Sequence, residues 1–219
     1  MIREKVAVIT GGSSGIGKST ALALYDKGFK IYTVSRRPVD WKNQEMFHIQ
    51  GDVTEETEIQ KAFEQVFAAE GRLDVLVICA GFGISGAVEF TTLEEAKKQM
   101  EVNFFGAFLA LKYGGKMMRT QGFGRIIAVG SVAGEIAIPF QAFYSASKAA
   151  LAKLLEAYSG ELAPYHVECV LVMPGDVMLG RSAGPGSGAS GYGRRSSRRQ
   201  DCGACIRIPA APDPGRSES

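Results

Sequence analysis

Short apolar runs alternate with longer amphipathic stretches along the first 179 residues. Six runs have the length and composition of β-strands: Lys5–Thr10, Lys30–Ser35, Met46–Gln50, Val75–Cys79, Arg125–Gly130 and Val167–Val172. Several, such as VAVIT and VLVIC, are apolar nearly throughout, which is typical of parallel strands buried on both faces. Helical periodicity follows at 15–27, 55–69, 93–119 and 141–163. The alternation predicts an α/β fold with a doubly wound parallel sheet covered by helices.

The composition changes abruptly near residue 180. Residues 180–219 contain eight Gly, seven Ser, four Pro and seven Arg, but no Lys, Phe or Trp. Such a segment cannot bury enough apolar surface to offset the entropy of ordering it. We therefore expect a folded domain over 1–179 and a disordered, low-complexity tail over 180–219. The tail holds one strand-like fragment, Ala204–Pro209, so the sheet is expected to lack its last strand.

Charge and composition exclude several classes of function. The net charge of +2 over 219 residues is too small for a nucleic-acid or membrane-surface binder. No apolar run reaches the roughly 18 residues that a membrane span needs. The opening MIREKVAVIT has no signal-peptide layout, and four scattered cysteines do not form a disulfide framework, so we expect a cytoplasmic protein. No metal site is predicted, because the lone Cys202–Cys205 pair has no second pair beside it.

A glycine-rich loop joins the first strand to the first helix. The stretch Thr10-Gly11-Gly12-Ser13-Ser14-Gly15-Ile16-Gly17 lets the backbone turn tightly and approach a phosphate, which free N–H groups at the start of the next helix bind. The overlapping GSSGIGKS of residues 12–19 also matches the P-loop pattern GxxxxGK[ST] of nucleotide triphosphatases. The loop alone leaves both nucleotide classes open.

Residues outside the loop favour a dinucleotide. A P-loop enzyme usually needs a strand-end aspartate to help hold magnesium, and the fourth strand ends in Cys79-Ala80-Gly81 instead. The second strand ends at Ser35-Arg36-Arg37. In a dinucleotide-binding fold, residues at this position contact the adenosine ribose, and an arginine there accommodates a 2′-phosphate. No acidic residue lies between Phe29 and Val39. The sequence thus predicts a Rossmann-type fold that binds NADP, with NADPH favoured over NADH.

Tyr144 and Lys148 form the clearest catalytic pattern. They lie four residues apart in YSASK, so they share one face of a helix. A nearby ammonium favours phenolate over phenol, which suits a tyrosine acting as a general acid and base. Ser131 follows a strand thirteen positions before Tyr144, where its hydroxyl can hold a substrate oxygen. Together the three side chains indicate proton transfer to or from an oxygen.

These motifs, taken in order, resemble those of the short-chain dehydrogenase/reductase family over residues 5–178. The resemblance rests on the glycine loop, Gly51-Asp52-Val53, Glu101-Val102-Asn103, Ser131, Tyr144-Ser145-Ala146-Ser147-Lys148 and Pro174-Gly175. It implies hydride transfer between NADP(H) and a carbonyl or alcohol. The cofactor-binding residues that it implies are Gly11, Ser13, Ser14, Gly15, Ile16, Gly17, Ser35, Arg36, Arg37, Asp52, Val53, Ala80, Gly81, Asn103, Tyr144, Lys148, Pro174, Gly175 and Val177.

The resemblance also implies a role for each catalytic residue. Tyr144 would be the general acid in reduction and the base in oxidation, while Lys148 would hold the nicotinamide ribose. Ser131 would orient the substrate carbonyl, and Asn103 would support a water in a proton relay. Asp52 would contact the adenine amino group. These assignments agree with the chemistry of the residue types.

Two positions depart from the family's pattern. The usual Asn-Asn-Ala-Gly after the fourth strand is Ile78-Cys79-Ala80-Gly81, which replaces a polar side chain with a thiol. After Pro174-Gly175-Asp176-Val177 the usual threonine is missing, and Met178-Leu179 leads directly into the tail. Two alternatives to an active reductase therefore stay open. One is a P-loop nucleotide triphosphatase, and the other is a non-catalytic reductase scaffold whose last part is frame-shifted.

The expected partners are a small molecule and further copies of the chain. Apolar residues flank the predicted site and point to an apolar carbonyl or alcohol substrate: Phe82, Ile84, Ile136, Ile138, Phe140 and Phe143. Helices 93–119 and 141–163 carry more apolar residues than one sheet face absorbs, and these are counted toward an interface: Phe104, Phe105, Phe108, Leu109, Leu111, Leu151, Leu154 and Leu155. Members of the family commonly pair these two helices across a two-fold axis, so the resemblance implies a homodimer or homotetramer.

Overall fold

A computed structural model describes residues 4–175 of the chain and the backbone of residues 205–207. Its strands are β1 (Lys5–Thr10), β2 (Phe29–Ser35), β3 (Met46–Gln50), β4 (Val75–Ile78), β5 (Gly124–Val129), β6 (Val167–Val172) and β7 (Cys205–Arg207). They form a single sheet in the order β3-β2-β1-β4-β5-β6-β7. Every pair of adjacent strands among β1 to β6 is parallel. The predicted doubly wound parallel sheet is confirmed.

Helices cover both faces of this sheet. They are α1 (Gly15–Tyr25), α2 (Glu56–Glu70), α3 (Leu93–Met100), α4 (Gly106–Gln121) and α5 (Ala142–Leu162). Alternate residues of β1 enter two separate cores: Val6 and Val8 pack with α2, α4 and α5, while Ala7 and Ile9 pack with α1. Burial of alternate residues on opposite faces explains why the strands are apolar almost throughout.

The predicted long helix over 93–119 contains a π-helical turn in the structure. Helix α3 ends at Met100, a π-helical turn spans Glu101–Phe105, and α4 begins at Gly106. A π-turn adds a residue to one turn of helix and so rotates the side chains on either side of it relative to each other. Residues 93–121 are helical without a break, as predicted, but hydrophobic periodicity averaged over many residues did not detect the extra residue of the π-turn.

The sheet edge beside β6 also differs from the expectation. The sequence predicted that the last strand is missing, but β7 pairs antiparallel with β6, with Val172 opposite Cys205 and Val170 opposite Arg207. This strand lies inside the fragment Ala204–Pro209. The rest of the predicted tail lies outside the described residues, and so do Val177 and the Cys202 position of the CxxC pair. None of the helices within the described ranges is long and apolar enough to cross a membrane.

Candidate active site

One cleft opens at the carboxyl ends of the central strands. Its volume is about 1230 Å³, and it lies where the strand order reverses between β1 and β4, the place where ligands bind in open α/β sheets. The predicted residues that line it are Gly11, Ser13, Ser14, Gly15, Ile16, Gly17, Ser35, Arg36, Arg37, Asp52, Val53, Ala80, Gly81, Ser131, Tyr144, Lys148, Pro174 and Gly175. Of the remaining two, Asn103 is fully buried beside the cleft, and Val177 lies outside the described residues.

The glycine loop lies close against the end of β4. Gly11 has a φ of +72°, and a Cβ there would approach the Cα of Ala80 to 2.8 Å. A Cβ on Gly17 would lie 2.4 Å from the carbonyl oxygen of Gly11. Ser14 precedes α1 in an extended conformation and makes no side-chain cap. The first N–H groups of α1 are thus left for a ligand, an arrangement that fits the phosphates of a dinucleotide.

Two arginines, Arg36 and Arg37, follow β2 and line one end of the cleft. Arg37 donates a hydrogen bond from Nη2 to the Ser14 hydroxyl at 3.2 Å. Arg36 approaches Asp52 at 3.7 Å, with 65% of its side chain exposed. The same Asp52 carboxylate accepts from the backbone N–H and the hydroxyl of Thr54 at 3.0 and 2.9 Å. Both guanidinium groups therefore have room for an anionic ligand, while Asp52 is held in place.

Lys148 and Tyr144 lie at the opposite end, on α5. Lys148 is 7% exposed and donates a hydrogen bond from Nζ to the carbonyl oxygen of Val129 at 2.7 Å. Burial lowers the pKa of Lys148 to about 8, opposed by a smaller effect of the nearby Cys79 thiol. Its ammonium lies 5.9 Å from the centre of the Tyr144 ring. The site thus places a cation beside a phenol in a largely dehydrated environment.

Ser131 completes this end of the cleft. Its Oγ accepts a hydrogen bond from the backbone N–H of Ala133 at 3.1 Å, which caps the short 3₁₀ turn Val132–Gly134. The hydroxyl hydrogen is not used in that bond, so it is available to a substrate oxygen. Cys79, the thiol that departs from the family's pattern, also lines the cleft. Burial raises its pKa to about 12, which makes it an unreactive thiol.

Asn103 contacts the protein rather than the cleft. Its Nδ2 donates to the carbonyl oxygen of Phe82 at 2.8 Å and to the Ser147 hydroxyl at 3.0 Å, and its Oδ1 accepts from the Phe82 N–H at 3.0 Å. Both amide hydrogens are therefore used inside the protein. The role of Asn103 in supporting a relay water, which the resemblance implies, stays a prediction.

The sequence analysis missed two polar residues beside the cleft. Ser147 joins Asn103 to Tyr144, because its hydroxyl donates to the Tyr144 carbonyl oxygen at 2.8 Å. Gln99 is fully buried in α3 and binds the backbone of the loop after β4. The signal that could have revealed Gln99 is its spacing: a long polar side chain lies four residues before Asn103 in a predicted helix.

Comparison with known proteins agrees with this geometry. A family model described as short chain dehydrogenase matches residues 5–182. The chain belongs to the short-chain dehydrogenase family. Within residues 4–175 nothing supports the P-loop alternative, because Lys18 is an exposed residue of α1 and Cys79 follows the fourth strand.

Individual members of the short-chain dehydrogenase family extend the comparison. A 3-ketodihydrosphingosine reductase of Bacteroides thetaiotaomicron is 40% identical over 179 residues, which is 82% of this chain and 66% of that protein. This chain therefore spans just under two thirds of that relative's length. A short-chain dehydrogenase of Streptomyces avermitilis has a TM-score of 0.77 at 32% identity, covering 82% of this chain and 70% of that one. ElxO, solved with NADP bound, has a TM-score of 0.76 at 27% identity, covering 78% and 73%.

Proposed function

We propose that this chain carries the cofactor-binding and proton-transfer machinery of an NADP(H)-dependent oxidoreductase that interconverts a carbonyl and an alcohol. One observation carries the proposal: Tyr144 and Lys148 line the same cleft as the glycine loop and the two arginines. The glycine loop and the start of α1 fit a pyrophosphate. The catalytic pair lies at the other end of the cleft, where the nicotinamide ring of an extended dinucleotide would lie.

The chain's own residues supply position and a proton. A nicotinamide cofactor, when bound, supplies or accepts the hydride. In reduction, Tyr144 donates its phenolic proton to the carbonyl oxygen, and in oxidation it removes the proton from the alcohol. The Lys148 ammonium stabilises the phenolate left behind, and its effect is strengthened because the ammonium itself is buried. Ser131 donates its free hydroxyl hydrogen to the same substrate oxygen.

The preference for NADP(H) is supported by the second strand. Arg36 and Arg37 follow β2 at the adenosine end of the cleft and offer charge-assisted hydrogen bonds to a 2′-phosphate. The relative ElxO, which was solved with NADP, has the same fold. Asp52 neutralises part of the charge of Arg36. Arg37, which contacts Ser14 of the glycine loop, is therefore the stronger candidate for the phosphate contact.

An apolar substrate is supported by the mouth of the cleft. Phe82 and Ile138 line it and are 36% and 41% exposed, and Ile136 and Phe140 beside it are each 68% exposed. Phe140 holds a φ of +64°, which is costly for an aromatic residue and is characteristic of functional sites. Its carbonyl oxygen accepts from the Gly86 N–H at 2.8 Å and so joins the two walls of the mouth. The compound in one relative's name, 3-ketodihydrosphingosine, is the first to test.

A homodimer or homotetramer remains part of the proposal, with a smaller surface than the sequence implied. Four of the apolar residues counted toward an interface belong to the core instead: Leu109, Leu111, Leu151 and Leu155. Phe105 and Phe108 are 52% and 40% exposed at the start of α4. We therefore assign these two rings to contact with a second copy.

Replacement of Tyr144 by Phe tests the proposed reaction. The phenyl ring keeps the packing but has no proton to transfer, so turnover of a ketone panel with NADPH should fall by about 10²–10⁴-fold. NADPH binding should change by less than about twofold, because the ring remains. Steady-state kinetics and a binding titration measure the two effects. Turnover by Tyr144→Phe equal to that of the unmodified protein would overturn the proposal.

A further inference from the structure

The side chain of Gln99 makes hydrogen bonds to two residues of the loop that follows β4. Its Oε1 accepts from the Ile84 N–H at 2.9 Å, and its Nε2 donates to the Phe82 carbonyl oxygen at 2.5 Å. One amide therefore binds the backbone on both sides of Gly83, as a neighbouring strand would. Gln99 is 0% exposed, and a buried amide is costly unless its hydrogen bonds are made. These two bonds therefore offset the cost of burying the Gln99 amide.

A second amide holds the same loop from the next helical turn. Asn103 accepts from the Phe82 N–H and donates to the Phe82 carbonyl oxygen at 3.0 and 2.8 Å. The Phe82 carbonyl oxygen thus receives two donors, one from each side chain. Residues 82–84 are an irregular segment with no strand partner of their own. The two amides take the place of that partner and define the conformation of the segment.

The segment that Gln99 holds packs against the catalytic tyrosine. Phe82, Gly83 and Ile84 line the cleft. A Cβ placed on Gly83 would lie 3.3 Å from Cδ2 of the Tyr144 ring, so the ring occupies the space next to Gly83. The position of Gly83 is in turn set by the bonds that Gln99 makes to its two neighbours.

We propose that Gln99 is a positioning residue for proton transfer: through Phe82 and Ile84 it holds Gly83 beside the Tyr144 ring and so limits the movement of the phenol. The kinetic part of this inference rests on the proposed oxidoreductase function, and the contact itself does not. Displacement of a reacting group by about 1 Å can cost a factor of about 10² in rate, so a loosened ring lowers kcat before it affects cofactor binding.

Two substitutions at Gln99 separate bonding from packing. Gln99→Met keeps the volume of the side chain but removes both hydrogen bonds. Gln99→Glu keeps an acceptor for Ile84 and regains a donor to Phe82 only when its carboxyl is protonated, which burial favours. A matched control is Gln121→Met. Gln121 also binds the backbone through one side-chain amide, at the end of the sheet away from the cleft. It accepts from the Leu73 N–H at 3.1 Å and donates to the carbonyl oxygens of Leu73 and Phe123 at 2.5 and 2.7 Å.

The kinetic experiment compares these variants with the unmodified protein. Gln99→Met should lower kcat by at least about tenfold, with the Kd for NADPH changed by less than about twofold. The kcat of Gln99→Glu relative to the unmodified protein should rise as the pH falls, while the same ratio for Gln99→Met stays flat. Gln121→Met should lower the melting temperature without changing kcat. Equal kcat for Gln99→Met and Gln121→Met would overturn the inference.

A chemical experiment tests the contact without turnover. Tetranitromethane nitrates accessible tyrosines, and mass spectrometry gives the rate at Tyr144 relative to Tyr165, which is 41% exposed and serves as the internal reference. Gln99→Met should raise this relative rate several-fold, and Gln121→Met should leave it unchanged. If the unmodified protein has no turnover but this difference is seen, the proposed function fails and the positioning role stands. Equal relative rates in all three proteins would overturn the positioning role.

Discussion

Lys148 shows how a single residue couples function to stability. Its ammonium is 7% exposed and has one hydrogen bond, to the Val129 carbonyl oxygen. Burial lowers its pKa from 10.5 to about 8, so the folded protein releases this proton at a lower pH than the unfolded chain does. Between these two pH values the unfolded state binds more protons, and the contribution of Lys148 to the free energy of unfolding rises with pH. The charge that assists Tyr144 is thus kept at a cost in stability.

The activity should therefore have an upper pH limit set by Lys148. Only the ammonium stabilises the phenolate, so kcat/KM for NADPH, which reports the protonation of the free protein, should fall as the pH rises through about 8. A pH profile of the carbonyl reduction measures this limit. Lys148→Arg keeps its charge across the range, so its profile should lack the decline near pH 8. An unmodified protein whose kcat/KM stays level from pH 7 to about 10 would contradict the assignment.

Arg36 and Arg37 carry the prediction about cofactor choice. A charge-assisted contact to the 2′-phosphate should make NADPH bind more tightly than NADH by about 1–3 kcal/mol. Replacing both arginines by Ala should weaken NADPH and leave NADH nearly unchanged. Titration of the fluorescence of Trp41, the only tryptophan in the chain, measures the dissociation constants. Magnesium-ATP serves as the control ligand for a P-loop. Equal affinities of the unmodified protein for NADPH and NADH would refute the preference.

Regular elements could be predicted from the sequence to within a residue or two. Strand β4 is apolar at every position because both of its faces are covered, and β1, β3 and β6 begin and end where the pattern indicates. The π-turn Glu101–Phe105 was not predicted, and Asn103 within it binds Phe82 and Ser147, which are distant along the chain. A residue in such a turn follows its distant partners rather than the local periodicity.

The candidate site likewise contains residues that could be predicted from the sequence and residues that could not. Motif residues such as Ser131 and Gly11 were predictable because each follows a strand, and the carboxyl ends of parallel strands meet at one edge of the sheet. The contacts of Gln99 were not predictable. They require α3 to lie against an irregular loop fifteen to seventeen residues earlier in the chain, and no repeating pattern encodes that approach.

The junction of the glycine loop with α1 gives a prediction at the level of an element. A Cβ at position 17 would lie 2.4 Å from the Gly11 carbonyl oxygen, which is backbone and cannot rotate away. Gly17→Ala should therefore displace the start of α1, weaken NADPH by at least about tenfold and lower stability by about 1–3 kcal/mol. Ser19→Ala, an exposed position of the same helix, is the control. NADPH affinity that is equal in both variants would show that the loop does not bind the phosphates.

At the scale of the whole molecule, the candidate site lies at the carboxyl ends of the strands, while the two faces of the sheet carry the hydrophobic cores that stabilise the fold. The residues that would bind the nucleotide and move the proton follow strand ends or lie on α5, except Asn103 in the π-turn, and all but Val177 lie within the described residues. Two cores, one on each face of the sheet, fix the strands that carry them. The exposed rings of α4 lie on a surface that neither core uses.

Association through those rings is the last prediction. Phe105 and Phe108 lie three residues apart and are 52% and 40% exposed, so a second copy would bury apolar surface that water otherwise covers. Light scattering at micromolar concentration should give a dimer or tetramer, and the double substitution Phe105→Ser with Phe108→Ser should give a smaller species. Leu22→Ser is the control, because Leu22 is 38% exposed on α1, which packs against the opposite face of the sheet from α4. A monomeric unmodified protein, or equal dissociation by the control, would contradict an interface at α4.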